Sequence, residues 1–350
     1  MRSPAEDGPP GQRGAALLTA MIIVALIATL ATTMVWQQWR AIQVEAAERA
    51  RTQSAWILAG ALDWARLILR EDARAGGTDH LGEPWAVPLA EARLSTFLAA
   101  DKANTEDAPD AFLSGAITDA QARYNLTNVV SGGQVDPVEL AALQRLCEAV
   151  GVSADVAARI ANGLRDATPA PVAAPVAVPG ATPGATPGAL PGTAPGTGAI
   201  EIGPARATDP PLLPRSVAQL AWLGVDAESL RALEPYVALL PEKTFVNVNT
   251  APREVLVAAV PGLDLATAER VMQSRQKTPL KTVADMRALA PGLPDESYAR
   301  VAIASSFFEV RGRLRLNEVV LEQRSLVQRR GLQVVVVQRE RVSSRDAAGG

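Results

Sequence analysis

Residues 14–39 carry the sequence GAALLTAMIIVALIATLATTMVWQQW, 26 consecutive positions without a charged side chain. The most apolar part, 15–35, has 21 residues. At about 1.5 Å rise per residue it forms roughly 32 Å of helix, the thickness of one hydrocarbon core. A cleaved secretory signal has an apolar region of only about 7 to 15 residues. We therefore expect a retained membrane-spanning segment at 15–35, with Trp36 and Trp39 in an aromatic belt at its end.

The helical pattern continues past this segment. No proline falls between Ala15 and Asp72, so nothing breaks the helix before that point. Apolar residues recur at helical spacing along it: Val44, Ala47, Ala55, Leu58, Leu62, Ala65 and Leu69. The pattern predicts a membrane span followed by an amphipathic helix at 36–72, together one rod of roughly 87 Å.

The residues before the apolar run are short and polar and end in Gln12, Arg13 and Gly14. A prepilin peptidase cuts this arrangement, and the chain resembles type IV pilins and type II secretion pseudopilins. The resemblance implies a leader at 1–14, cleavage between Gly14 and Ala15, and methylation of the new terminus. Those families usually have glutamate at the fifth mature position, where this chain has Thr19. That departure is typical of the minor pseudopilin K subfamily, general secretion pathway protein K.

Three further segments resemble protein K sequences: HLGEPWA at 80–86, ITDAQARYNLTN at 117–128 and NVNTAP at 247–252. In the second, Asp119, Asn125 and Asn128 are candidate ligands, although turn formation is the commoner role of these residue types. In the third, Asn249 and Thr250 are predicted N-caps of the helix that follows.

The composition argues for a structural or interaction protein. Lys and Arg number 34 against 37 Asp and Glu, so the net charge of −3 gives no strong field for nucleic acid or an anionic surface. His80 and Cys147 are the only histidine and cysteine, which excludes His- and Cys-rich zinc sites and an internal disulfide. A solitary loop histidine such as His80 is expected to be solvated. A hydrolase with paired carboxylates has no motif in the sequence, and we expect no enzyme activity.

Residues 167–199 contain eight prolines and six glycines in 33 positions, with PGAT repeats. Such a segment has no apolar face to pack, so we expect an extended or disordered tether. The alternative, a proline-rich ligand, is disfavoured because the glycines interrupt a polyproline helix.

A glycine between apolar residues recurs at Gly151, Gly224, Gly262 and Gly292, each followed by a helical pattern. This internal repeat predicts helix-hairpin-helix, or SAM-like, modules in which glycine adopts positive φ. Such loops can cradle nucleic-acid phosphates. Between 245 and 303, however, there are seven basic and six acidic residues, so the net charge is only +1. Asp264 lies where a phosphate-binding loop would have glycine. We therefore expect packing modules that bind no nucleic acid.

Short strands are predicted at Ala116–Asp119 and Ala122–Leu126, and tail strands at Ser306–Val310, Arg313–Leu321 and Leu332–Arg339. Strands on both sides of a helical block imply one sheet with an inserted domain. We expect an α+β fold: a pilin-like domain at 73–130 and 304–340, a helical insertion at 131–303 containing the tether, and a disordered tail at 341–350.

The resemblance implies a minor pseudopilin at the tip of the type II secretion pseudopilus, which helps to initiate assembly and protein export. It implies a single-pass inner-membrane protein with its C-terminal domain in the periplasm. Expected partners are other minor pseudopilins, the assembly platform, prepilin peptidase and membrane lipid. Assembly residues are expected at Thr19 and on the helix face of Val44, Ala47, Ala55, Leu58 and Leu62.

Calcium is the one cofactor that the resemblance suggests. Protein K sequences usually carry an acidic segment after the first helical unit, and here only Asp166, Glu201 and Asp209 remain near that point. The rival function is a membrane-anchored DNA-uptake protein that uses the helical hairpins.

Overall fold

The computed structural model describes residues 13–94, 111–168, 211–316 and 319–342. Residues 1–12 of the predicted leader, 169–199 of the predicted tether and 343–350 of the predicted tail lie outside the described residues.

The first element is a single helix, α1, Arg13–Ala75, of 63 residues. At about 1.5 Å per residue it is roughly 95 Å long. The N-terminal part reaches a mean hydropathy of 2.3 over an 18-residue window, none of it buried by the rest of the chain, so it is long and apolar enough to cross a membrane. The predicted rod is confirmed, and it extends three residues past Asp72.

A five-stranded antiparallel sheet packs on the C-terminal half of α1. Its order is β1-β2-β9-β10-β11, with bounds β1 Leu89–Arg93, β2 Ala111–Asp119, β9 Phe307–Leu316, β10 Val319–Arg330 and β11 Gln333–Val342. One face of the sheet buries the helix residues Leu58, Leu62, Ala65 and Leu69. Gly312 lies under Leu58, where a Cβ atom would come within 3.3 Å of the Leu58 Cδ2 atom. The small residue therefore lets helix and sheet approach closely.

The helical domain is inserted between β2 and β9. Its helices are α2 Pro137–Ala149, α3 Ala154–Ala167, α4 Ala227–Leu233, α5 Arg253–Ala259, α6 Leu265–Lys277 and α7 Val283–Leu289. Two-residue strands join its segments: β3 Tyr124–Asn125 with β6 Val237–Ala238, β4 Val130–Ser131 with β5 Gln134–Val135, and β7 Val246–Asn247 with β8 Val301–Ala302. One hydrophobic core runs through the whole insertion, from Tyr124 to Val301.

The repeated glycines have the conformation predicted for them. Gly151, Gly224, Gly262 and Gly292 have φ of 76°, 79°, 86° and 92°, values that cost little only without a Cβ atom. The first three connect helices, and Gly292 connects α7 to a 3-10 turn at Asp295–Tyr298. The prediction of packed helical hairpins is confirmed.

Several predicted boundaries were wrong. Tyr124, Leu126 and Val129 lie in the core of the helical domain, so the insertion starts near residue 120, about ten residues before the expected 131. Of the strand predicted at Ala122–Leu126, only Tyr124–Asn125 is a strand, and 3-10 turns lie on both sides of it. The prediction failed because contacts with the helical domain bury these apolar residues. Their apolar character therefore does not indicate a strand.

The predicted strand Arg313–Leu321 was wrong, because it spans the ends of two antiparallel strands: β9 runs unbroken through Arg311 and Gly312 to Leu316, and β10 runs from Val319 to Arg330. Polar residues lie on both faces of β10, with Gln323 and Ser325 toward α1, which obscured this strand in the sequence. Arg341 and Val342 belong to β11, not to a disordered tail. Ala167, assigned to the tether, is the last residue of α3.

Candidate functional site

The motif residues converge where the sheet meets the helical domain. Asp119, at the end of β2, is buried, and its Oδ2 atom accepts hydrogen bonds from Thr250 Oγ1 (2.6 Å), Ser305 Oγ (2.6 Å) and Asn247 Nδ2 (3.0 Å). Its Oδ1 atom accepts the Gln121 amide at 2.7 Å. Three separated segments of chain thus meet at the Asp119 carboxylate. We call Asp119 and its partners Asn247, Thr250 and Ser305 the junction cluster.

A second carboxylate extends this cluster to α1. Asp79 Oδ2 accepts the Ser305 amide, and Arg329 of β10 donates to Asp79, to Asp72 of α1 and to the Ser305 carbonyl, all at 2.6 to 2.8 Å. Burial raises the pKa of Asp72, and the nearby Glu83 carboxylate adds to the rise, while Arg329 opposes it. The arrangement ties the end of α1, the following loop and β10 to the helical domain.

Asn125 and Asn128, the other ligand candidates, are also structural. The Asn125 side chain bonds the Leu240 amide and the Glu242 carbonyl, and the Asn128 side chain bonds both main-chain groups of Thr244. Their amides therefore hold the segment that leads into NVNTAP. The expectation that these side chains form turns was too narrow, because they also join segments more than 100 residues apart.

The predicted N-cap roles of Asn249 and Thr250 were wrong. Pro252 occupies the N-cap position of α5, without a side-chain hydrogen bond. Asn249 instead bonds both main-chain groups of Leu280, and Thr250 donates to Asp119. Both polar side chains are directed across the fold and not along the helix.

Among the described residues, one predicted calcium candidate and one close group of carboxylates bear on metal binding. Asp166 pairs with its neighbour Arg165 at 2.9 Å, while Glu201 and Asp209 lie outside the described residues. Asp72, Asp79 and Glu83 place carboxylate oxygens within 4.8 Å of one another, but Arg329 already bonds two of them. His80 accepts the Gly82 amide at its Nδ1 atom and so closes a local turn.

The hairpin glycines do not form an open phosphate cradle at the described loops. Asp264, directly after Gly262 and Leu263, accepts the amide and hydroxyl of Thr267 and thereby caps α6. Its backbone hydrogen bond from Thr267 lowers the pKa of this carboxyl below 3.8. Asp226 caps α4 in the same way. A carboxylate at these helix N-termini repels phosphate, which leaves no structural support for DNA uptake.

The face of α1 predicted to contact partners is largely internal. Leu58 and Leu62 are buried against the chain's own sheet, and Ala55 is partly buried, whereas Val44 and Ala47 are exposed below the sheet. For Leu58 and Leu62 the assembly prediction was wrong, because the apolar stripe of a helix fits its own sheet as readily as a partner.

The opposite face of α1 carries apolar residues that the sequence reasoning missed. Trp56 and Trp64 have 76% and 52% of their surface exposed, and Leu67 has 42%. Gly60 lies between the tryptophans on the same face, with open space beside it. We call Trp56, Gly60, Trp64 and Leu67 the outer stripe. Its signal in the sequence was two tryptophans eight residues apart, about two helical turns.

Thr19 lies on the membrane-spanning part, where its hydroxyl donates to the Ala16 carbonyl at 2.9 Å. Gly14 and Ala15 are helical in backbone. The processing and assembly roles of these residues stay predictions.

Comparison with known proteins gives the family. Two family models, both described as type II secretion system (T2SS), protein K, match residues 122–242 and 246–304, together more than half of the chain. The chain belongs to the type II secretion system protein K family. It is a minor pseudopilin of that system, and its apolar α1 fits a single-pass membrane anchor.

Curated protein K relatives match along nearly their whole length. The protein from Pseudomonas aeruginosa is 27% identical, with 97% of this chain and 94% of the relative covered. The protein K of Klebsiella pneumoniae is 29% identical, with 94% and 96% covered. A solved GspK-GspI-GspJ complex from enterotoxigenic Escherichia coli contains a chain of similar fold, with a TM-score of 0.61, 20% identity, and 85% of this chain and 99% of that chain covered. The pilin-like sheet with its helical insertion is therefore the fold of protein K.

Proposed function

We propose that this protein K caps the tip of the type II secretion pseudopilus, where it helps to initiate assembly and export. Before assembly, prepilin peptidase removes residues 1–14, and the chain resides in the inner membrane with its folded part in the periplasm. Its role is structural, without enzyme activity or nucleic-acid binding. The observation that carries the proposal is the outer stripe, an apolar helix surface that the described part of the chain does not cover.

The outer stripe gives the protein a lateral contact with a neighbouring helix. It continues the membrane-spanning part of the same unbroken α1, so a partner rising from the same membrane runs alongside it. Large exposed apolar patches rimmed by polar residues are typical of protein contacts. Between the tryptophans, Gly60 leaves a notch into which a partner's side chain can pack. The GspK-GspI-GspJ complex supports other minor pseudopilins as these partners.

Position at the tip is supported by Thr19 and by the helical domain. A carboxylate at this position would neutralise the N-terminal ammonium of a neighbour, because a single charge in an apolar bundle is costly. Thr19 supplies a hydroxyl but no negative charge. The helical domain joins the sheet beside Asp72, at the membrane-distal end of α1, where it would obstruct a subunit stacked above.

Site-directed cross-linking in assembled pseudopili tests the proposal. A cysteine at Trp64 on the outer stripe should cross-link to another minor pseudopilin, since Cys147 is buried and does not compete. The matched control is Arg51→Cys, an exposed position that lies about 140° around α1 from Trp64 and should not react.

Cross-links between two copies of this chain along the shaft, through cysteines at Thr19 and Val44, would contradict a place at the tip. Separately, N-terminal sequencing of the membrane form should find Ala15 first. A mature terminus beyond Val35 would disprove pilin-type processing.

A further inference from the structure

The last strand leaves one side of the sheet open. β11 is the outer strand and pairs only with β10 in the described sheet. Its first six residues, QVVVVQ at 333–338, include neither proline nor a charged side chain, the residues that commonly protect an edge. A register shift opposite Leu326 and Val327 is its one irregularity. Apart from the Val334 carbonyl, which accepts a hydrogen bond from Arg66, the edge offers main-chain groups for pairing.

An apolar cavity lies beside this edge. It measures about 660 Å³ between β10–β11 and the helical domain, and its walls include Leu213, Leu239, Leu240, Leu326 and Val337. Val337 is 40% exposed and Leu213 48%. A strand added to the edge places alternate side chains on the cavity side of the sheet.

The surroundings of the edge are basic. Arg215, Arg339 and Arg341 are exposed, and in the described part of the chain none of them forms an ion pair. Arg215 lines the cavity, whereas Arg339 and Arg341 lie opposite Ser325 and Gln323 in the strand register, on the side of the sheet that faces α1. Of the nearby carboxylates, Glu309 is already held by Arg123 and Arg324, which leaves Glu234 and Glu340 against the three arginines. The charge therefore favours an acidic occupant.

We propose that the β11 edge and its cavity bind an extended segment of a partner polypeptide that alternates apolar and acidic residues. The segment adds a sixth strand through main-chain hydrogen bonds and its apolar side chains enter the cavity. Its carboxylates, on the opposite face of the added strand, pair with Arg339 and Arg341. Strand addition of this kind draws affinity from the main chain and specificity from side-chain pockets. The site is distinct from the outer stripe on α1, so it does not depend on the proposed position at the tip.

The test uses the full chain in detergent micelles and a fluorescent eight-residue peptide of alternating valine and glutamate. We expect saturable binding by fluorescence anisotropy. Arg339→Glu should weaken it roughly tenfold, about 1.4 kcal/mol. The matched control Arg313→Glu, at an exposed position of β9 away from the cavity, should change the affinity less than about twofold. A peptide with every amide N-methylated, which has no main-chain N–H group to donate to β11, should not bind.

Other occupants give different results. Binding seen only after deletion of residues 172–196 would show that the chain's own segment covers the edge. Disulfide-linked dimers of a Val335→Cys variant, formed in a yield that the peptide does not lower, would identify a second copy as the occupant. Equal binding of the N-methylated peptide, or no binding at all, would also overturn the proposal.

Discussion

At the scale of single residues, the polar side chains of the family motifs are buried and join distant segments of the chain by hydrogen bonds. Asp119, Asn125, Asn128, Asn247 and Asn249 are all buried and bond main-chain or side-chain groups distant in sequence. Buried polar groups persist only when such bonds replace water. A motif rich in Asn and Asp can therefore resemble a ligand site while its function is to fix one arrangement of the chain.

Replacing Asp119 with Asn should destabilise the folded part by about 2 kcal/mol, because one amide oxygen cannot accept the donors that the carboxylate accepts. Urea unfolding followed by circular dichroism measures the change. The control Asp295→Asn removes a carboxylate from an exposed ion pair and should cost less than about 0.5 kcal/mol. Equal effects of the two substitutions would contradict the role of the junction cluster.

The titration of Asp72 gives a second prediction. Burial raises its pKa above the ordinary 3.8, so the folded chain binds this proton at higher pH than the unfolded chain. Its contribution to stability is therefore present below pH 3.8 and is lost as pH rises through the folded-state pKa. Asp72→Asn should flatten the decline in unfolding free energy over this window.

The matched control for the Asp72 measurement is Asp63→Asn, an exposed carboxylate on the same helix. It should leave the pH dependence of the unfolding free energy unchanged. A steeper decline in the Asp72 variant than in the parent chain would show that the assigned sign is wrong.

At the scale of elements, α1 has two apolar faces with different roles. The face containing Leu58, Leu62 and Leu69 completes the core of the sheet, while Trp56 and Trp64 remain outside. Hydrophobic periodicity shows that a helix has an apolar face but does not identify what covers it. Periodicity likewise does not identify what covers α3 and α4, the helices on either side of the segment that contains the tether.

Deleting residues 172–196 should leave the unfolding free energy nearly unchanged, because loop closure changes by only about 0.6 kcal/mol per doubling of length. Thermal unfolding of the parent and shortened chains measures this directly. For contrast, deletion of residues 120–123, which connect β2 to β3, should abolish folding. A cooperative loss of structure in the shortened tether variant would show an ordered element there.

At the scale of the whole molecule, the orientation of the helical domain is set by contacts among distant segments. Arg329 of β10, Asp72 of α1 and Asp79 of the loop form one network with the junction cluster. Arg329→Met should therefore loosen the domain relative to α1 more than it unfolds either part. The distribution of distances between spin labels at Ala47 and Lys277 should broaden in this variant. The control Arg313→Met, at an exposed position of β9, should leave the distribution unchanged.

Local sequence determined the features that depend on neighbouring residues alone. The uncharged run specified a membrane-spanning helix, the absence of proline made α1 continuous, and the repeated glycines marked the helical hairpins, since each follows from backbone sterics or hydrophobic transfer. Tertiary structure decided which face of α1 is buried, where β9 and β10 end, and that Asp119 and Arg329 hold the two domains together. These depend on which distant segments supply the covering surface and the hydrogen-bond partners, and no local pattern encodes that choice.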